Sequence, residues 1–403
     1  MHKKVYLKNF GCQMNVRDSE VICGLLKKEG HKIIEEPKNA DIVILNTCSV
    51  RQHAENKVWS EIGKLAKQRT KMGTTVKKCG QTIFLPIIGL VGCMAQNYKE
   101  RAFERMPAVD FVVGPSDIEK IPQIIKKLST SGHSLSTRNL LERKIWETDG
   151  SIRPEEVYFT GFYQDREHVY IVISEGCSNY CSYCIVPYVR GPLHDRGHKD
   201  ILKEIKMAVD NGIKRVTLLG QNVCAYNPGR RERGAECRKE VDFVRLLYMV
   251  NEIKELEEFS FVTSHPKDTP VDLFRAMAEL KKLRKYLHLP VQSGSDRVLQ
   301  LMNRGYSREY YFDLVDKYRK IVKNGALTTD IIVGFPGENE DDFKDTYELV
   351  KRIEFNAAFI FKYSPRPNTR AEGLKDDVPR EEKERRHRVI LELQKEISKR
   401  KKC

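Results

Sequence analysis

No apolar run in the 403-residue chain approaches the roughly 18 residues that a membrane-spanning helix needs. The N-terminus, MHKKVYLKNFG, lacks the apolar block and the small-residue cleavage site of an export signal. These absences lead to the expectation of a cytoplasmic protein with no membrane partner. Repeats of solenoid period are also missing. Acidic residues are in deficit, with 71 Lys and Arg against 56 Asp and Glu and a formal net charge of +15. A surplus of that size suits a polyanion such as nucleic acid, because phosphate neutralisation supplies affinity that does not depend on sequence. A basic solvated surface is the competing reading. Without an export signal, the eleven cysteines read as metal ligands or catalytic groups rather than as a disulfide framework.

What is present is an α/β pattern in two series. In the first, the runs KVYLKNFG, ADIVILNTC, LPIIGLVGC and VDFVVG alternate with helical stretches such as RDSEVICGLLKKEG, which predicts a doubly wound parallel sheet over residues 1–128. Apolar runs thin out over 129–166, which reads as a linker. In the second series HVYIVISEG, IKRVTLLGQN, EFSFVTSHP, KYLHLPVQSG, LTTDIIVGFPGE and FNAAFIFKYSP predict a partial (β/α)6 barrel over 167–368, with the working residues at the C-terminal strand ends. The tail, 369–403, has helical periodicity but little apolar content, and either lies on the barrel or simply ends the chain.

The stretch EGCSNYCSYCIVP places Cys177, Cys181 and Cys184 on one loop after the first barrel strand. Gly176, Ser178 and Ser182 are small enough to let the loop fold back. Three thiolates hold three irons of a [4Fe–4S] cluster and leave the fourth open. Zinc with a fourth ligand from elsewhere, or a buried cluster of non-ligands, are the alternatives. A second triplet, Cys12, Cys48 and Cys93, stands just past the ends of three apolar runs, so a parallel sheet brings all three to one edge. By the same ligand count this suits a second [4Fe–4S] cluster, with core packing as the bland alternative. Cys23 reads as core, Cys79, Cys237 and Cys403 as free, and Cys224 stands near the strand ends with no assigned part.

On the C-x3-C-x2-C loop the chain resembles the radical S-adenosylmethionine (SAM) enzymes, in which the open iron coordinates SAM. That resemblance implies an adenine-side role for Tyr183, with plain packing as its alternative. It also implies a SAM pocket at the other strand ends. Gly220, Gln221 and Asn222 would meet the methionine end, Ser264, His265, Gln292 and Ser293 the ribose, and Gly334, Pro336 and Gly337 the adenine. Each of these, taken singly, also fits an ordinary strand-end turn.

GCQMN, NTCSVR, VGCMAQ, GCSNYCSYCIVPYVRG, LLGQNV, LHLPVQSGSDRVLQLMNRGYSREYY and DIIVGFPGE, in this order, closely resemble the methylthiotransferases over residues 3–398. GCQMN and NRGYSREYY resemble the MiaB branch, which adds a methylthio group to C2 of N6-isopentenyladenosine beside the tRNA anticodon. The resemblance implies two [4Fe–4S] clusters, SAM as cosubstrate, and the tRNA anticodon stem-loop as partner. It further implies a reductant such as flavodoxin or ferredoxin, iron–sulfur assembly proteins and a monomeric state. Arg190 and Arg304 become candidates for substrate or SAM contacts. Sister enzymes acting on threonylcarbamoyladenosine or on a ribosomal-protein aspartate are alternatives, as is a non-catalytic iron–sulfur carrier or scaffold with RNA affinity. Two departures stand out. After VRG the family's Glu and Ser positions hold Leu193 and Asp195, with only Arg196 matched. The family's C-terminal TRAM β-barrel is also expected to be absent, since the chain stops at Cys403.

Overall fold

The computed structural model describes residues 2–401 apart from 51, 73–75, 79–80, 84–85, 131–143, 151 and 232–240. Cys79, Cys237 and Cys403 lie outside the described residues. The chain divides into two units, one comprising Met1–Asp165 with Tyr188–Gly191 and the other Arg166–Pro187 with Pro192–Cys403.

An uninterrupted apolar run suits a strand only if both of its faces are covered. ADIVILNTC forms such a strand. The first unit contains β1 (Lys4–Asn9), β2 (Lys32–Ile34), β3 (Ile42–Thr47), β4 (Ile87–Gly92), β5 (Phe111–Val113) and β6 (Ile145–Glu147), all parallel, in the spatial order β2-β1-β3-β4-β5-β6. Its main helices are α1 (Gln13–Lys28), α2 (Gln52–Met72), α3 (Cys93–Tyr98) and α4 (Ile121–Thr130). Ile42 and Ile44 of β3 pack with Val21 and Ile22 of α1 and Ile124 of α4. Val43 and Leu45, pointing the other way, pack with Val58 and Trp59 of α2 and Met94 of α3. The sheet is doubly wound as expected, and its strand order reverses between β1 and β3, where helices depart to opposite faces and leave a crevice.

The expected linker over 129–166 is corrected in its described part. Ile145–Glu147 adds a sixth parallel strand beside β5. Val157 and Tyr158 are buried, Val157 within the core beneath α1. A three-residue edge strand carries too little periodicity to be read from sequence. Much of what fastens this segment is polar, with the carbonyl of Tyr158 accepting from the buried Arg17 Nη2 at 2.9 Å.

The second unit carries the six expected strands, β7 (His168–Val172), β8 (Arg215–Leu219), β9 (Glu258–Val262), β10 (Tyr286–His288), β11 (Ala326–Val333) and β12 (Ala357–Lys362). They form two parallel three-stranded runs, β7-β8-β9 and β10-β11-β12, bridged where Phe259 pairs with Leu283. Helices α5 (His198–Asp210), α6 (Phe243–Asn251), α7 (Val271–Glu279), α8 (Arg308–Ile321) and α9 (Glu340–Ile353) connect them. A sixth, α10 (Arg380–Arg400), settles the open question about the tail. It packs on β12 and α9, burying Ile390, Leu393 and Ile397 at helical spacing. Among the described residues no helix is long and apolar enough to cross a membrane.

Candidate functional site

At the carboxyl edge of the first unit's sheet, Cys12 caps α1 after β1, Cys48 follows β3, and Cys93 opens α3 after β4. Cys12 is exposed and the other two are buried. A hydrogen bond from the Cys48 thiol, helped by the Arg190 guanidinium and the N–H groups of Asn15 and Met14, holds Cys12 at about 6 although the protein atoms crowding its sulfur work the other way. That bond and burial push Cys48 up, with Cys93 adding to the effect. Burial also raises Cys93, although Arg190 Nε donates to its Sγ at 3.3 Å. The three thiols therefore stand close enough to sense one another's charge. Protons leave all three only where a cation compensates, which is the demand of a metal or cluster ligand set.

A polar shell that the sequence reading missed holds this edge. Asn15 Nδ2 donates to Asn46 Oδ1 at 2.9 Å and to the Thr47 carbonyl at 3.0 Å, and Asn46 Nδ2 returns a bond to the Asn15 carbonyl at 2.8 Å. Beneath them lies Asp18, paired with Arg190 at 2.7 Å and Arg153 at 2.9 Å. Burial works to raise the Asp18 carboxyl, but the two arginines hold it below its ordinary range. A lone asparagine inside the apolar run IVILNT was the available signal. Gly92 is required by its backbone. Its φ is +93° with ψ at −158°, and a Cβ there would stand 2.5 Å from Asn46 Oδ1 and 2.7 Å from the Thr47 carbonyl.

In the second unit the loop after β7 turns at Gly176, φ +74°, and again at Tyr180, φ +48°. It is tied down by Ser182 N to the Met302 carbonyl at 2.9 Å, Ser182 Oγ to the Leu301 carbonyl at 2.8 Å and Cys184 N to the Cys181 carbonyl at 2.9 Å. Cys177, Cys181 and Cys184 are brought together. Burial lifts Cys177 and takes Cys184 to about 12, in both cases with Cys181 adding to the rise. Arg304 is buried against them, its Nη1 3.3 Å from both Cys181 Sγ and Tyr183 Oη and its Nη2 2.7 Å from the Pro290 carbonyl. His265 Nε2 lies 3.8 Å from Cys181 Sγ. Burial, then Arg304 and Lys267, lowers His265 to about 2, so it is a neutral imidazole at ordinary pH.

The other strand-end candidates divide. Gln221 Oε1, Asn222 Oδ1 and Gln292 Oε1 are buried acceptors without a hydrogen-bond partner among the described residues. Each keeps the capacity to accept a further hydrogen bond. Gly220 abuts the Ser174 hydroxyl, 2.5 Å from where its Cβ would be. Ser264 and Ser293 each make a hydrogen bond within the fold. Ser264 Oγ donates to the His288 carbonyl, and the fully buried Ser293 hydroxyl bonds Thr346 Oγ1 at 3.3 Å. Both hydroxyls are committed to the fold. Gly334 N donates to Glu338 Oε1 at 2.8 Å, and its missing Cβ makes room for Lys383 of α10. Tyr183 packs on the apolar cluster of Met302, Phe335 and Tyr363, the packing alternative of its two readings. Cys23 is core as expected, pushed by burial to about 12. Cys224 accepts from Thr269 Oγ1 at 3.6 Å. Arg196 is buried with Glu204 at 2.6 Å, a structural pair.

The model of the radical SAM superfamily matches residues 171–350, and that of "Uncharacterized protein family UPF0004" matches residues 4–114. The chain is 41% identical to the tRNA-2-methylthio-N(6)-dimethylallyladenosine synthase of Carboxydothermus hydrogenoformans over 98% of its own length and 84% of the relative's. It is also 41% identical to the synthase of the same name from Clostridium novyi, over 99% and 83%. Among solved structures it is similar in fold to the radical SAM methyltransferase TsrM from Kitasatospora setae, with a TM-score of 0.58 and 12% identity over 92% of this chain and 74% of that one. OxsB, a cobalamin-dependent SAM radical enzyme, gives a TM-score of 0.55 at 13% identity over 99% and 56%. The identity to curated relatives across nearly the whole chain places this protein in the family of the tRNA-2-methylthio-N(6)-dimethylallyladenosine synthases, within the radical SAM superfamily.

Proposed function

We propose that the protein transfers a methylthio group to C2 of N6-isopentenyladenosine beside the tRNA anticodon, with one [4Fe–4S] cluster on Cys177, Cys181 and Cys184 and a second on Cys12, Cys48 and Cys93. The observation that carries this reading is the pairing of two separate three-cysteine sites on a chain whose family acts on this nucleoside by name. The cluster on the barrel loop, when bound, supplies the electron that cleaves SAM, while the other carries or donates sulfur.

The chain's own residues support each part. Arg304 places a permanent cation within hydrogen-bond reach of Cys181 Sγ. Neutral His265 adds no competing charge there. Gln221, Asn222 and Gln292 offer buried amide oxygens to the ammonium and hydroxyl donors of SAM. Arg190, fixed by Asp18, does for Cys93 what Arg304 does for Cys181. The surplus of +15 gives the tRNA a cationic partner. A flavodoxin- or ferredoxin-type reductant, iron–sulfur assembly proteins, a monomeric state and a cytoplasmic setting complete the reading.

The test is mass spectrometry of tRNA nucleosides from cells lacking the gene and from the same cells after its return. Restoration of 2-methylthio-N6-isopentenyladenosine is the expected result. An unchanged level of that nucleoside assigns the enzyme to another substrate.

A further inference from the structure

The alternate residues of β11 face different surroundings. Leu327, Thr329, Ile331 and Val333 are buried in the core, while Thr328, Asp330 and Ile332 share the opposite face. Strand pairing sets His288 beside Thr328 and Asp330 beside Phe359. His288 on β10 and Phe359 on β12 thus flank Asp330 from both sides. His288 Nε2 is 3.3 Å from Asp330 Oδ2, and its Nδ1 is 3.0 Å from Thr328 Oγ1. The rings of His288 and Phe359 stand 6.1 Å apart at 69°. Along the same face Ile332 packs in the cluster that includes Tyr183, so this group lies on the side of the strands that meets the cysteine loop. Gln292, with its orphaned oxygen, donates its backbone N–H to the Asp330 carbonyl at 2.9 Å.

Inward positions of (β/α) barrels are ordinarily filled by branched apolar side chains. Here the face carries a carboxylate 29% exposed and a phenylalanine 51% exposed. A hydrogen-bonded His–Asp pair that merely made an open face wettable would gain nothing from the exposed ring beside it. A phosphate is an unsuitable ligand, because Asp330 repels it. An aromatic face next to a hydrogen-bond acceptor suits a planar heterocycle with one N–H donor at its edge.

We infer that Asp330, Phe359 and His288 form the recognition site for the substrate base, a proposal that rests on the tRNA methylthiotransferase reading. Phe359 stacks on the purine and on its apolar N6 substituent. Asp330 accepts the single N–H left on the substituted N6. His288 is a positioning residue that fixes the carboxylate.

The experiment uses the full-length holoenzyme and two synthetic anticodon stem-loops, one with N6-isopentenyladenosine and one with N6-methyl-N6-isopentenyladenosine, which keeps the apolar group and lacks that N–H. Binding is read by fluorescence anisotropy, and SAM affinity by equilibrium dialysis. The wild type is expected to prefer the first RNA by about tenfold, the scale of one good hydrogen bond to a charged group. Asp330→Ala brings the ratio close to one, and His288→Gln lowers it part of the way. Phe359→Ala weakens both RNAs by roughly tenfold or more, as loss of one base–aromatic stack requires, and Phe359→Trp restores them. Retained discrimination in Asp330→Ala overturns the inference, as does a loss of SAM affinity in place of RNA affinity. Wild-type enzyme that binds neither stem-loop better than an unrelated hairpin of equal length overturns the tRNA reading itself.

Discussion

Glycine before a cysteine is a small feature, but at Gly92 it decides whether the cysteine edge closes. The backbone there occupies a region nearly closed to other residues, at a cost of about 1–3 kcal/mol for any side chain, and the Asn15–Asn46 pair fills the space a methyl group would need. Gly92→Ala is expected to destabilise the first unit by at least that amount. The chain's two tryptophans, Trp59 and Trp146, both lie in this unit, so urea unfolding of cluster-free protein followed by tryptophan fluorescence reads it directly. An unchanged midpoint would show that the edge rearranges freely. A second residue-scale case is the buried pair of Arg196 and Glu204, whose side chains are 2% and 1% exposed. Removal of one partner strands a charge, for about 3–5 kcal/mol. Glu204→Gln should lower the midpoint of the barrel's circular-dichroism melt sharply, and the double change with Arg196→Met should recover most of the loss.

At the scale of elements, α10 is held to the barrel through its first turns as well as its apolar stripe. Arg385, then Arg386, holds the Glu382 carboxyl at about 2, against an ordinary value of 4.5. A depressed carboxylate favours the folded state above the ordinary value and loses that contribution as pH falls through the folded one. Both arginines lie on the same helix as Glu382, so it is the first turns of α10 that should weaken between about pH 4.5 and 2. Arg385→Gln should narrow that window from below, with the loss complete at higher pH, as followed by acid titration of the far-ultraviolet signal. Coincident titration curves for wild type and variant would remove Glu382 from the account. The elements also show how far sequence alone could be read. The strands β1, β3 and β4 and the six barrel strands are legible because apolar runs with turn endings admit few alternatives. β6 was not, being three residues long and held mainly by its neighbours. The six cysteines were legible as candidates because strand ends have a fixed place in a parallel sheet. The Asn15–Asn46 pair, the Asp18 network and the His288–Asp330 pair were not, because they depend on register and on rotamers that no local pattern encodes. The bonds of Ser264 and Ser293 were hidden for the same reason: a hydroxyl at a strand end gives no sign of which way it will bond.

For the molecule as a whole, the two cysteine sites belong to separate units, and their loss should separate into two phenotypes. Alanine at Cys177, Cys181 or Cys184 is expected to abolish 5′-deoxyadenosine formation from SAM. Alanine at Cys12, Cys48 or Cys93 should leave that formation in place and stop sulfur insertion, as read by chromatography of both products from reconstituted enzyme. Loss of SAM cleavage in the second group would reject this division between units.

The way each triplet is built also bears on the order in which the enzyme matures. Cys177, Cys181 and Cys184 occupy one short loop, so their spacing along the chain is present as soon as that stretch is synthesised. Cys12, Cys48 and Cys93 converge only when β1, β3 and β4 have paired in register. A partly made sheet presents scattered single thiols and no chelate. A three-thiol ligand set at that edge therefore exists only in a completed sheet, which ties any cofactor loading there to folding.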